Sequence, residues 1–303
     1  KSVVAAPQGP DPRMKIAISL RLLPIVVMSQ SAVGSLVLSA GEVAHFQHHG
    51  FVLLRQKVPK EDLARLILAA ERCSEARDGI SGPFYHKISF SDLEREEIMR
   101  KIATSSMLAH AAKQLLGCSD VRVLRDAFLA YTKDGSGCGW HVDDPHFWPS
   151  PEFADDAAGV NVWIALSPLR KHLGGGLAIA PTSHRVPWMP EALKKIRQPV
   201  VLPDGRVAQR TCGLAELSPE YNEKFEQLKE TFDMEPGDAL IMARYLWHRT
   251  DLFTEEGKKQ VHEPLLRYSL RYMPGTSKRV QFVNGVVEET ANTLAADKFP
   301  MVQ

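Results

Sequence analysis

The sequence has no Cys-x-x-Cys pair; its four cysteines, Cys73, Cys118, Cys138 and Cys212, stand apart. That spacing argues against a zinc knuckle and a thioredoxin-type redox motif. The thiols are also too sparse for a disulfide framework. Each therefore reads as a small buried hydrophobe, and a reducing compartment is expected. The chain has no charge excess either: 37 basic residues against 36 acidic ones leave a formal net charge of +1. Near-neutrality argues against bulk electrostatic binding to nucleic acid, which needs a basic patch, and against an acidic disordered chain. Long apolar runs are missing. The most apolar stretch, Ile16 to Met28, is broken by Arg21 and Pro24, well short of the roughly 18 residues of a membrane span. Internal repeats and low-complexity segments are absent. The glycines of Gly135-Ser-Gly-Cys-Gly139 are not followed by Lys-Ser/Thr, so a phosphate-binding loop is not expected.

What is present is an ordinary globular composition, 44% apolar and 24% charged. Residues 1–38 differ from the rest, because up to Gly41 the only acidic residue is Asp11, against Lys1, Arg13, Lys15 and Arg21. They read as an N-terminal arm or as the remnant of an organelle leader. The first reading places the protein in the cytoplasm, the second in a mitochondrion or plastid. Residues 39–303 read as one domain.

Ser39-Ala-Gly-Glu42 is a capping box that opens a short helix closed by Gly50. Phe51 to Leu54 follows as a strand. Lys60 to about Ala76 carries Leu63, Leu66, Ile67 and Ala70 at helical spacing. Ser91-Asp-Leu-Glu94 is a second capping box, and its helix or helix pair runs to Leu116 and stops at Gly117. From Val121 the period changes to two. Strands are expected at 121–125, 127–132, 160–166, 176–180, 229–234, 239–248 and 265–273. A small hairpin is expected with Asp204-Gly205 at its tip, and a helix from Ser218-Pro219. Helices first and many short strands afterwards point to a mainly β domain with flanking α-helices, an antiparallel barrel or jelly roll.

The chemistry concentrates in His141-Val-Asp143, at the expected end of a strand. Residues i and i+2 of an extended chain point to the same side, so His141 and Asp143 can offer a nitrogen and an oxygen to one ion. His248 is the best third ligand. Two histidines and one carboxylate on one face of an ion leave positions open, the set of non-haem Fe(II) oxygenases. Asp144 and His146 also follow the motif, but the i, i+2 geometry favours Asp143.

The surrounding segments resemble the phytanoyl-CoA dioxygenase family of Fe(II)/2-oxoglutarate oxygenases. The resemblance rests on Trp140-His-Val-Asp143, Asn161-Val-Trp-Ile-Ala-Leu166, Gly175-Gly-Leu-Ala-Ile-Ala-Pro-Thr-Ser-His184, Glu235-Pro-Gly-Asp-Ala-Leu-Ile241 leading into His248, and Phe46 to Leu54. It covers roughly residues 39 to 275. Thr182 replaces the family's usual Gly. The resemblance implies a cupin-like jelly roll, the double-stranded β-helix, holding Fe(II) with 2-oxoglutarate as cosubstrate and O2 as oxidant.

In that family the cosubstrate's far carboxylate meets an Arg on a later strand. Arg267 is the first choice, with Ser269 on the same face, and Arg271 the second. The interval from His248 to Arg267 is longer than the family usually has, so the intervening loop is enlarged. The resemblance puts the Thr250 hydroxyl near the cosubstrate. Tyr131, Asn161 and Trp163 are weaker candidates for the same pocket. The expected activity is hydroxylation of a small-molecule metabolite with release of succinate and CO2. A cupin-like metalloprotein with other chemistry, or a catalytically silent binding protein, are the alternatives. No nucleic acid or membrane span is expected, and a monomer or weak homo-oligomer is.

Several residues read as structural or peripheral. His45, His48 and His49 read as surface residues and His184 as part of a turn. Phe147 and Trp148 read as loop packing or as part of the substrate mouth. The basic residues between Pro187 and Glu230 read as a solvated face.

Overall fold

The computed structural model describes residues 37–75, 85–143, 159–185, 200–201, 207–208, 218–275, 280–283, 286–289 and 302. The chain divides into two units at Ser35/Leu36. The first unit, and with it most of the expected arm, lies outside the described residues, as do 144, 146–148, 187–199 and the 204–205 hairpin tip.

Val37 begins the described part of the second unit, and Leu38 follows. Leu38 is buried, and it exchanges two hydrogen bonds with the Gln114 amide, at 3.0 and 2.8 Å. Helix α1 (Ala40–His49) forms as the capping box requires. The Ser39 N–H donates to the Glu42 carboxylate at 2.7 Å, and the Glu42 N–H donates to Ser39 Oγ at 3.2 Å. It ends at Gly50, whose φ of 83° lies in the left-handed region. A Cβ there would also run into the His184 ring, so the position needs glycine twice over. Helix α2 (Lys60–Glu75), α3 (Glu97–Ser105) and α4 (Met107–Leu116) follow, and α4 stops at left-handed Gly117.

The second capping box does not form. Ser91 has φ 60° and makes no capping bond, and Asp92–Glu94 is a single 3-10 turn. The reason is Asp92: it is buried and takes hydrogen bonds from Ser89 Oγ and Arg95. These bonds hold the turn, and α3 starts only at Glu97.

Strands β1 (Phe51–Leu54), β2 (Lys87–Phe90), β3 (Val121–Tyr131), β4 (Val160–Ala165), β9 (Ala239–Ala243) and β11 (Leu265–Pro274) build one antiparallel sheet. Its order is β1-β9-β4-β11-β3-β2. A second, three-stranded sheet has the order β10-β5-β8, from His248–Thr250, Leu177–Ile179 and Glu230–Thr231. Two small hairpins complete the described strands: β6 (Val200–Val201) with β7 (Val207–Ala208), and β12 (Val280–Val283) with β13 (Val286–Glu289).

Strand parity sorts the core into layers. Val160, Val162 and Ile164 of β4, with Tyr268, Leu270 and Tyr272 of β11, pack against Leu66, Ile102 and Leu108 of the helices. The alternate residues Trp163, Ala165, Leu240 and Met242 face Leu177 and Ile179 of the second sheet. Helix α5 (Pro219–Leu228) seals that sheet's outer side, burying Tyr221 and Phe225 against Trp140, Val142 and Ala178. A helix of six residues, α6 (Glu255–Gln260), occupies the enlarged loop before β11.

Two sequence expectations for the strands are corrected. The strands expected at 121–125 and 127–132 are one continuous β3. Asp126 does not break it, because its buried carboxylate accepts from the Leu93 N–H and the Tyr268 hydroxyl, both at 2.9 Å. Conversely, the strand expected from Ala239 to His248 is two. The Leu246 N–H turns back to the Ala243 carbonyl at 2.9 Å, and the chain re-enters in the other sheet at His248. The result is the double-stranded β-helix architecture, two antiparallel sheets with flanking helices, with no strand pairing that closes a barrel among the described residues.

Candidate metal centre and the cavity around it

His141 lies outside any strand. It forms an isolated antiparallel bridge to His248, the first residue of β10. The His141 N–H donates to the His248 carbonyl at 2.9 Å, and the His248 N–H returns the bond at 3.0 Å. Residues paired in this way send their side chains to the same face, and the two rings lie 4.4 Å apart. The bridge thus does what a strand end was expected to do.

Each ring has its Nδ1 on a backbone carbonyl: His141 on Gly139 at 2.7 Å, His248 on Leu246 at 2.9 Å. A carbonyl accepts only, so Nδ1 carries the proton and Nε2 keeps its lone pair. Both Nε2 atoms face Asp143 Oδ1, at 3.6 and 3.5 Å. The donor atoms of His141, Asp143 and His248 lie within 4.8 Å of one another, a group that can hold one metal ion. Burial holds the His141 imidazolium form down, and the neighbouring His248 adds to this. Both effects favour the neutral, ligating imidazole.

Asp143 is itself buried. Burial is the largest single effect and pushes its carboxyl up, but the Arg271 guanidinium, His141 and His248 together outweigh it, and the carboxyl stays well below the usual range. Arg271 donates from Nε at 2.9 Å and from Nη2 at 2.7 Å, both to Oδ2. Asn161 Nδ2 donates to the same oxygen at 2.7 Å. Arg271, the second choice for a cosubstrate carboxylate, is therefore committed to Asp143. So is the amide nitrogen of Asn161.

Arg267 presents the contrast. It is 2% exposed, and its Nε and Nη1 have no hydrogen-bond partner. Its guanidinium carbon lies 5.1 Å from the ring centre of Tyr85, 5.6 Å from Tyr131 and 5.3 Å from Trp163. Burial pushes its pKa down. The Tyr131 hydroxyl is spent on the Gly135 carbonyl at 3.1 Å, and its ring stacks on Phe253. Thr250 Oγ1 lies 2.9 Å from the Tyr85 hydroxyl and accepts from the Cys138 N–H at 3.3 Å. Ser269 Oγ donates to the Ala127 carbonyl at 3.3 Å and receives Arg271 Nη1 at 3.4 Å. One cavity of about 240 Å³ touches the triad, Arg267, Thr250 and Tyr85 together.

Tyr85 is the site residue that sequence reasoning missed. It precedes β2 and carries no motif; only the tertiary fold brings its ring to Arg267. Cys138 corrects another expectation. It lines the cavity and is disulfide-bonded. Cys73 and Cys118 are free. Among the remaining histidines, His45 and His48 are exposed, and His184 packs beside Gly50 and Leu246.

Fold and site together define a double-stranded β-helix protein whose cavity holds a His-Asp-His triad and a buried arginine with two unpartnered nitrogens. The phytanoyl-CoA dioxygenase (PhyH) profile matches residues 46–253, and the chain belongs to that family. Among solved structures it resembles the epimerase SnoN, determined with Fe3+, α-ketoglutarate and nogalamycin RO. The two share 18% identity over 87% of this chain and 98% of that one, with a TM-score of 0.62. The α-ketoglutarate-dependent carbocyclase SnoK from nogalamycin biosynthesis gives 17% identity over 88% and 97%, with a TM-score of 0.62. EctD from S. alaskensis, solved with 2-oxoglutarate and 5-hydroxyectoine, gives 17% over 82% and 80%, with a TM-score of 0.59. Among curated proteins no sequence matches. Among the described residues, no helix is long and apolar enough to cross a membrane.

Proposed function

We propose that the protein is a non-haem Fe(II)- and 2-oxoglutarate-dependent dioxygenase that hydroxylates a small-molecule metabolite, releasing succinate and CO2. The observation that carries this reading is Arg267. A buried cation whose N–H groups lack acceptors costs several kcal/mol. It is understandable where an anionic ligand supplies the acceptors, and a guanidinium edge matches a carboxylate with two parallel bonds. That the same cavity holds a metal-capable triad points to a carboxylate-bearing cosubstrate of a metal.

On this reading His141 Nε2, Asp143 Oδ1 and His248 Nε2 hold Fe(II), and Arg267 takes the far carboxylate of 2-oxoglutarate. When bound, the metal and cosubstrate supply the oxidising power: O2 is divided between succinate and the hydroxylated product. The protein's part is preorganisation. The two carbonyl-bound imidazoles present fixed lone pairs, and Asp143 keeps its charge. Thr250 and Tyr85 offer hydroxyls beside the cosubstrate site, while Tyr131 and Trp163 wall Arg267 from water. The neighbours crystallised with iron and α-ketoglutarate or with 2-oxoglutarate support the cosubstrate assignment. Because those neighbours include an epimerase and a carbocyclase, the choice of reaction is read here as a property of the substrate side. Hydroxylation is favoured here over halogenation because the third donor is an intact carboxylate, where related halogenases carry a small residue.

Anaerobic titration with Fe(II) and 2-oxoglutarate should give a weak visible charge-transfer band. Arg267→Leu should weaken 2-oxoglutarate binding by at least about tenfold with metal binding retained. If the wild type shows no band, both the metal and the cosubstrate assignments fail.

A further inference from the structure

Asp143 offers two oxygens, and the structure treats them differently. Oδ1 faces both imidazole Nε2 atoms, at 3.6 and 3.5 Å. Oδ2 accepts three N–H bonds of 2.7 to 2.9 Å, two from Arg271 and one from Asn161. A carboxylate oxygen has two lone pairs, so three donors leave none free on Oδ2. We propose that Arg271 and Asn161 are positioning residues that confine Asp143 to single-oxygen coordination. The inference rests on the Fe(II)/2-oxoglutarate reading.

The origin of the two donors supports this. Arg271 on β11 and Asn161 on β4 are directly paired in register, in neighbouring strands of the six-stranded sheet. Paired residues share a face, so both reach the same oxygen from a rigid platform. Asp143, by contrast, lies outside every strand, beyond the bridge at His141. The ligand with the least backbone support is thus oriented by the sheet. Arginine suits the task, since Nε and Nη2 are two donors on one planar edge and a lysine supplies only a point charge. Ser269 Oγ receives Arg271 Nη1 at 3.4 Å and steadies the remaining side of the fork.

The consequence would be room for O2. With His141, Asp143 and His248 each giving one donor atom and the cosubstrate two oxygens, a bound metal would keep one position for O2. A second Asp143 oxygen would fill it. Stability alone is a weak reason to retain such a pair, because well-packed apolar residues often replace a buried ion pair without loss.

Zn(II) added to the full chain, labelled with carboxyl-13C aspartate, is the probe. Infrared difference spectra of loaded against metal-free protein report the separation of the two carboxylate stretches. Single-oxygen ligation separates them widely, and two-oxygen ligation brings them together. The wild type should show the wide separation with one bound Zn(II). Arg271→Lys and the pair Arg271→Leu/Asn161→Leu should show the narrow one while still binding Zn(II). In the Fe(II) forms of the same variants, 2-oxoglutarate should bind at least about tenfold more weakly. A narrow separation in the wild type, or a wide one retained in the variants, overturns the proposal. If the double variant fails to fold, the wild type and Arg271→Lys decide. Failure of the wild type to bind Zn(II) at all would instead overturn the metal assignment itself.

Discussion

The clearest energetic test lies away from the cavity, at Asp126. Its side chain is fully buried on the helix side of β3, where it accepts bonds from Leu93 N–H and the Tyr268 hydroxyl. Its Oδ1 has no partner. Burial dominates and raises its pKa from 3.8 to about 6; the two hydrogen bonds oppose this, and the charge of Asp92 adds to it. Below pH 3.8 the group is protonated in both folded and unfolded chains and does not affect their balance. Between 3.8 and about 6 the unfolded chain ionises first, so stability falls as pH rises. Above about 6 the whole cost is present. The shift corresponds to about 3 kcal/mol at 1.36 kcal/mol per unit.

Asp126→Asn has no titration, so any constant packing change cancels in the pH dependence. Urea unfolding of both proteins between pH 4 and pH 7 is the assay. The stability of the wild type relative to Asp126→Asn should fall by about 2 kcal/mol across that range, part of the cost being already present at pH 4. A flat difference would refute the claim that burial governs this carboxyl.

Other expectations follow from the same structure. Asp143→Ala should abolish substrate-dependent succinate formation; retained turnover would remove Asp143 from the ligand set. Phe225→Ala opens the fully buried contact between α5 and the second sheet. It should lose about 3–5 kcal/mol in urea unfolding, and a loss below about 1 kcal/mol would show that α5 is not a structural lid on the His248 strand. Thr182 stands at φ 68°, in the left-handed region where a β-branched residue is strained. Thr182→Gly should therefore gain about 1 kcal/mol, read as a higher Tm.

What the sequence made legible was periodicity. Alternation put Asn161 and Trp163 on one face of their strand and Arg267, Ser269 and Arg271 on one face of theirs, and all five line one cavity. The first capping box and the stops at Gly50 and Gly117 were equally readable, because their bonds span only a few residues. The misreadings share the opposite property. Asp126 is decided by partners on other segments, and the break of 239–248 by the turn at Ala243 and the second sheet; Asp92 is the exception, bonded to Ser89 and Arg95 three residues to either side. Tyr85 joins Arg267 across tertiary distance. No local pattern records such contacts.

Parity also has a blind dimension, and the two arginines expose it. It fixes which face a side chain takes but not how deep along the cavity it sits. Arg267 and Arg271 are four residues apart on β11, about 13 Å at the rise of an extended strand. Similar in the sequence, they stand at different stations. Arg271 meets the carboxylate of Asp143, whereas Arg267 lies among the rings of Tyr85, Tyr131 and Trp163 with its Nε and Nη1 unpartnered. The roles are distinguished by what each already holds. A cation whose acceptors come from the protein is part of the scaffold, whereas one whose buried N–H groups lack acceptors is waiting for a ligand's. On the proposed function, that difference is what assigns the cosubstrate carboxylate to Arg267 and not to Arg271.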